Sequence, residues 1–296
     1  MSLATIDRGS LANVLAILAN ALLMVAKFVV GWMAGSAALT ADGFNSAGDV
    51  VATAAVFASF LYARKPPDED HNYGHGNAES VAGLLVGGLL FATGLFIFIE
   101  GSMAFLEPRE LAPGTLALWV AAATMLIKEL LYRFTVQVGR ELNSPSLLAS
   151  ARDHRADVLV GMTVFAGILG ARSGWLWLDP LAAVLVGLYI AWMAIEPVLD
   201  NMHILMDRAP PGMSEPIIAV IEEDVDVCCC EQLRIHPIGS YFNIDADICV
   251  DGDLPLREAD DIAHRVEDAI KERIDHVRTV TVHVSPRERC GCGSRD

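Results

Sequence analysis

The chain has 296 residues, 53% of them hydrophobic, and a mean hydropathy of +0.43. A soluble globular protein would sit near or below zero, so membrane spans are the first expectation. The net charge of −16 is concentrated late: from Asp207 onward 20 acidic residues face 10 basic ones, against 17 and 11 before it. That balance argues against nucleic acid or anionic lipid as partners of the tail and favours cations.

Met1 to Ser10 is polar, with no secretory signal pattern. Six apolar runs follow: Leu11–Met33, Ala37–Ala63, Val81–Leu106, Pro113–Val138, Leu147–Ala171 and Leu176–Leu199. Each can cross the bilayer's hydrocarbon, about 30 Å at roughly 1.5 Å per residue. Arg64 and Lys65 follow the second run, and Arg133, Arg140, Arg152 and Arg155 surround the fourth-to-fifth connection; only Arg109 and Arg172 lie opposite. With basic loops facing in, both termini are expected in the cytoplasm, on a multi-pass protein of the cell inner membrane.

The composition changes after Asp207-Arg208-Ala209-Pro210-Pro211. Ser214–Asp224 reads as a helix with Ser214 a possible N-cap, Gln232–Pro237 and Tyr241–Val250 as strands, Leu256–Ile274 as a helix and Val277–Val284 as a strand. The expected fold is therefore an α-helical membrane protein: six transmembrane helices over residues 1–206, then a cytosolic α+β (αββαβ) domain over 207–296. All six cysteines fall at or after Cys228, as Cys228-Cys229-Cys230, Cys249, Cys290 and Cys292. Adjacent cysteines make a poor disulfide framework, so this tail reads as cytosolic and reduced.

In the second run, Asp42, Asn45 and Asp49 fall at i, i+3 and i+7, one stripe of a helix. The small residues Gly43, Ser46, Ala47 and Gly48 let a neighbouring helix come close. In the fifth run Asp153 and Asp157 are four apart and share a face. Charged groups inside a span are costly and mark an ion path or proton relay by default. Brought together, Asn45, Asp49, Asp153 and Asp157 offer oxygen ligands that need a divalent cation or bound protons. Lys27 and Lys128 also lie within spans, to snorkel or to pair with a carboxylate such as Glu129 or Glu100.

With these residues in place the chain resembles, over nearly all its length, the cation diffusion facilitator family of divalent-metal/proton antiporters. Six spans and a polar quartet on the second and fifth carry the resemblance. So do Tyr73-Gly74-His75-Gly76-Asn77-Ala78-Glu79-Ser80 in a cytoplasmic loop and a ferredoxin-like, metallochaperone-like tail. Zinc-transporting members usually place two Asp on the second span and a His and an Asp on the fifth; here the matching positions are Asn45, Asp49, Asp153 and Asp157. Imidazole is gone, and all-oxygen sites suit manganese and to a degree ferrous iron. The resemblance implies the manganese/iron branch: a Mn²⁺ exporter, with Fe²⁺ next. It implies protons as counter-ion, no permanently bound cofactor, and a homodimer joined through the tails. A water, a backbone carbonyl or Asp42 would complete the metal's shell. His154, were it to rotate inward, would restore a zinc-type site.

Asp68, His71 and His75 match loop positions that can hold a second metal in the family. Asp247, Asp260, His264 and His283 match tail positions where metal or its close neighbours sit, although Glu231 and Ser285 replace a His and an Asp there. Asn77 stands where zinc-transporting relatives carry a lysine able to pair with an acid such as Asp207. His203, His236 and His276 read as locally satisfied. The Cys228–Cys230 run and Cys290/Cys292 could hold a soft metal. Two other classes stay open. A membrane metalloenzyme is disfavoured because the quartet brings no nucleophile or general base beside the metal; a membrane metal sensor or scaffold would bind without transporting.

Overall fold

The computed structural model describes residues 8–106, 111–141, 145–238 and 241–290. Six long helices come first: α1 (Arg8–Ala34), α2 (Ala37–Ala63), α3 (Ala78–Leu106), α4 (Thr115–Glu141), α5 (Pro145–Arg172) and α6 (Leu178–Leu205). By length and composition all six can cross a membrane. Pro145 opens α5, where its missing N–H and fixed φ suit the first helical position. Asp153 and Asp157 therefore lie beyond the first two turns of a helix, inside the apolar segment Ser150–Arg172.

The chain divides into two compact units, residues 1–55 with 85–197, and residues 56–84 with 198–296. The core of the first is built from small and branched side chains, among them Ala38, Ala117, Ala121, Val164, Ile168, Ala182 and Val186. Small residues let helices approach where lipid supplies no hydrophobic drive between them. At the closest approach of α3 and α6, a Cβ on Gly94 would lie 2.5 Å from the Ala191 backbone nitrogen, and one on Gly187 2.6 Å from that of Phe98. The outward faces carry exposed Leu18, Leu22, Leu95 and Leu126, as lipid contact requires. Trp32, Trp119, Trp175 and Trp177 are exposed at the helix ends or connection that the up-and-down topology puts on one side, an aromatic belt.

The start of α2 is held by a buried carboxylate from α6. Ser36 Oγ accepts the Leu39 N–H at 3.1 Å and donates to Asp179 Oδ1 at 2.6 Å, while Asp179 Oδ2 accepts the Ala37 N–H at 2.7 Å. Amide groups with no intrahelical partner thus find acceptors away from water.

In the second unit the tail folds as α7 (Ser214–Glu222), β1 (Cys229–Ile238), β2 (Tyr241–Val250), α8 (Leu256–Arg273) and β3 (Val277–Pro286). The sheet order is β1-β2-β3, with β1 antiparallel and β3 parallel to β2. The parallel pair needs a crossover, which α8 supplies. Ile244, Ala246, Ile248 and Val250 of β2 pack on Ile217 and Ile221 of α7 and on Ile262, Val266 and Ile270 of α8. β1 begins three residues before the expected strand and carries a bulge between Cys230 and Gln232. Ser214 is not the N-cap: Met213 holds that position with no side-chain cap bond, and Ser214 is already helical.

Candidate metal centre

Asp157 joins three helices. Its Oδ1 accepts from Asn45 Nδ2 of α2 at 3.1 Å, and its Oδ2 accepts from Lys128 Nζ of α4. The same ammonium lies 4.0 Å from Asp49 Oδ2 of α2. Lys128 is fully buried, Asn45 is 4% exposed, and Asp49 and Asp157 are part-exposed. Asp153, one turn before Asp157, is exposed, whereas its neighbour His154 is buried with Nε2 unpartnered. Asn45 and Lys128 thus meet Asp157 and Asp49 approaches the same ammonium, with Asp153 one turn away and exposed. Among the described residues, groups of three or more His, Cys, Asp or Glu donors within 4.8 Å of one another occur elsewhere.

Lys128 is the member that sequence reasoning left without a partner. Glu129, offered for it, belongs to another face, where it accepts from Arg133 Nε at 2.8 Å and Arg155 Nη1 at 2.6 Å. Neighbours on a helix point about 100° apart, so the two residues serve different sides of α4. Lys27 is also buried and answers α2, with Nζ 2.9 Å from Ser46 Oγ and 2.8 Å from Asp42 Oδ1. Asp42 is therefore engaged by Lys27 on one oxygen, its other oxygen being unpartnered. The available signal was that a lysine inside a span needs an anion nearby; it named no particular carboxylate.

The loop after α2 brings its three expected ligands together. Asp68 Oδ1 accepts the His71 N–H at 2.7 Å and the Asp70 N–H at 3.1 Å. Its oxygens lie 3.3 Å from His71 Nδ1 and from His75 Nε2. The turn closes through Gly74, at φ +80°, whose N–H meets the His71 carbonyl at 2.8 Å; that left-handed conformation suits glycine. His75 is buried with Nδ1 unpartnered. The His71 backbone N–H, before its imidazole, holds the Asp68 carboxyl below its ordinary value. An ionised carboxylate and two imidazoles within 4.8 Å form a donor set suited to a divalent cation.

Residues 14–206 match the cation efflux transmembrane domain, and residues 209–287 match the cytoplasmic domain of cation efflux proteins. The chain belongs to the cation diffusion facilitator family. Relatives include the manganese efflux system proteins MneP and MneS of Bacillus subtilis (strain 168). MneP is 33% identical, over 92% of this chain and 94% of its own; MneS is 30% identical, over 96% and 98%. The magnetosome protein MamB of Magnetospira sp. (strain QH-2) is 34% identical over 88% of this chain and 89% of its own. A solved MamM CTD structure is 23% identical with a TM-score of 0.25, covering 25% of this chain and 92% of that one. This cation diffusion facilitator is a multi-pass membrane protein and a metal efflux transporter, in a family of transporters rather than enzymes.

In the tail of this facilitator the four expected ligands fall into two pairs. Asp247 and His283 are direct partners in the parallel β2–β3 register, on the sheet face opposite the core-facing Ala246 and Val282. Asp260 and His264 are exposed on α8, with His264 Nδ1 2.9 Å from the Asp260 carbonyl oxygen. That carbonyl, and then the Asp260 carboxylate, hold the imidazole above its ordinary value. The helix and the outer sheet face are separate layers, so the four do not form a single cluster within the chain. His236 pairs with Asp207, giving that acid a partner other than position 77.

The cysteines depart from the reduced tail expected of the sequence. Cys249 and Cys290 form a disulfide, Cys229 is also disulfide-bonded, and Cys228 and Cys230 are free. Parallel pairing sets Cys249 beside Ser285, and the short turn Arg287–Arg289 returns Cys290 to it. Sequence spacing alone gives no sign of this meeting. Cys292 lies outside the described residues.

Proposed function

We propose that this cation diffusion facilitator exports Mn²⁺, with Fe²⁺ as a second substrate, from the cytoplasm in exchange for protons, and that Asn45, Asp49, Asp153 and Asp157 carry the metal. The observation that supports this is the position of the Lys128 ammonium. It is buried between carboxylates of α2 and α5, beside an amide from α2. A place that holds one fixed positive charge against two helices' oxygens suits a divalent cation. The donors are oxygens, which favours manganese over zinc, and two relatives are named as manganese efflux proteins.

In the proposed cycle the carboxylates are never left uncompensated. Lys128 and bound protons neutralise them without metal; cytoplasmic Mn²⁺ displaces that charge; rocking of the bundle exposes the site outside, where protons take the metal's place. The protein would act as a homodimer in the cell inner membrane, with both termini cytoplasmic and the boundary to the tail near residue 207. Asp68, His71 and His75 would bind a second ion. Asp247 with His283 and Asp260 with His264 would contribute as pairs.

A zinc-type reading has one observation in its favour, the buried, unpartnered His154 Nε2. Fluorescence flux in proteoliposomes under a pH gradient, comparing Mn²⁺, Fe²⁺, Zn²⁺, Co²⁺ and Cd²⁺, tests both. Proton-coupled Mn²⁺ flux lost in Asp157→Ala and kept in His154→Ala is expected. Preferred Zn²⁺ flux lost in His154→Ala would establish the other reading, and binding without flux would make the protein a sensor or scaffold.

A further inference from the structure

The transport reading leaves the tail's cysteines unused, yet they converge where β1 begins. Cys229 stands opposite Cys249 in the antiparallel ladder, and the Cys228 N–H donates to the Cys249 carbonyl at 2.7 Å. The bulge between Cys230 and Gln232 falls at Glu231, and the Cys249 sulfur lies 3.9 Å from Glu231 Oε2. Cys290 arrives from beyond β3. One donor atom from each of Glu231, Cys249 and Cys290 lies within 4.8 Å of the other two, with Cys249 fully buried, Cys290 part-buried and Glu231 exposed.

We propose that Glu231, Cys249 and Cys290, with Cys229 as fourth donor, form a tetrahedral site for a zinc-class soft divalent cation in the reduced tail, apart from the path of the transported metal.

Sulfur about 2.3 Å and carboxylate oxygen about 2.1 Å from a tetrahedral zinc lie roughly 3.6 Å from each other, close to the Cys249–Glu231 separation. Directly opposed residues in a ladder have Cβ atoms about 5 Å apart, so Cys229, opposite Cys249, would approach the same ion once its own disulfide is reduced. Thiolate donors select zinc over manganese, the reverse of the membrane quartet's oxygens. Two strands and the segment after β3 would be tied together by one ion, so binding would stabilise the tail as structural zinc does.

The disulfide form is the closed state of this site. Dithiol reductants attack the cystine sulfurs by thiolate exchange and end as cyclic disulfides, giving two electrons and two protons to each bridge, the one between Cys249 and Cys290 and the one that holds Cys229. Metal then replaces a proton on each ligating thiol, and those protons pass to water. Thiols persist in the cytoplasm, so the physiological setting rests on the cytoplasmic placement proposed above; the binding chemistry does not.

The test uses the full chain in detergent, reduced with dithiothreitol, freed of it anaerobically and titrated with Co²⁺. A near-ultraviolet thiolate-to-cobalt charge-transfer band with intense tetrahedral visible bands is expected, bleached by Zn²⁺ and absent from oxidised protein. Cys290→Ser should lose the band, and Cys228→Ser should keep it. Because Cys249 is fully buried, the part-buried Cys290 is the deciding position. Glu231→Gln should weaken Co²⁺ binding about tenfold while keeping the charge-transfer band. Asp157→Ala should keep the band whether or not transport fails, since oxygen ligands give none. No band in the reduced protein, or one that Cys290→Ser leaves unchanged, overturns the proposal.

Discussion

Lys128 of α4 and Asp157 of α5 form an ion pair inside the helical bundle, at the point where Asn45 of α2 donates to the second oxygen of the same carboxylate. A lysine placed there is a tethered cation. In the proposed cycle it compensates the carboxylates without metal and gives way when metal binds.

Lys128→Gln should therefore trade stability for metal dependence. Removing one partner of a buried pair costs about 3–5 kcal/mol when the other is left uncompensated. Metal-free Lys128→Gln protein should melt below the wild type in detergent, and Mn²⁺ should restore more of its stability than it adds to the wild type. Equal Mn²⁺ stabilisation of both proteins would mean that Lys128 and the metal do not compete.

Asp153→His places an imidazole on the exposed member of the proposed quartet. Nitrogen ligands favour zinc over manganese. The ratio of Zn²⁺ to Mn²⁺ flux in proteoliposomes should rise at least about tenfold, or roughly 1.4 kcal/mol in relative barrier. An unchanged ratio would remove Asp153 from the ligand set.

The stripe Asp42, Asn45, Asp49 and the pair Asp153, Asp157 were legible because helical spacing fixes which residues share a face. The six spans were legible from hydropathy. The partner of Lys128 was not, because a span's rotation about its axis is set by packing against its neighbours. Glu129, adjacent in sequence, turned out to serve Arg133 and Arg155 on another side. The Cys249–Cys290 link bridges a sequence separation of 41 and follows from parallel pairing of β2 with β3, a long-range choice that cysteine spacing does not encode.

Asp179 anchors the helix that carries Asn45 and Asp49. Its two oxygens take the Ser36 hydroxyl and the Ala37 N–H, and hydrogen bonds to a charged group contribute about 1.5–3 kcal/mol each. Asp179→Ala should lower stability by about 2–4 kcal/mol, with Asp179→Asn intermediate because it keeps an acceptor. Thermal unfolding in detergent reads the loss. Flux per folded molecule should fall less than in any quartet variant, since Asp179 positions α2 and does not meet the ion.

The tail offers a pH-dependent contact outside the spans. Arg265 of α8 donates to both oxygens of Asp224 at 3.0 Å and to Asp226 at 2.7 Å, tying α8 to the turn after α7. The Arg265 hydrogen bonds, followed by an Asp226 backbone N–H, hold the Asp224 carboxyl below its ordinary value of 3.8. A carboxyl depressed in the folded state contributes stability above its unfolded pKa and loses it as pH falls through the lower folded value. Solvent reaches this pair, so the loss of stability in Arg265→Ala at neutral pH should be small. The gap between variant and wild type should shrink in high salt and close as pH falls below the ordinary carboxylate range. Hydrogen exchange of the amides in α7 and α8 at neutral and acid pH reads that gap locally. A difference that persists undiminished in acid would mean that Arg265 acts through packing of its aliphatic stem rather than through Asp224.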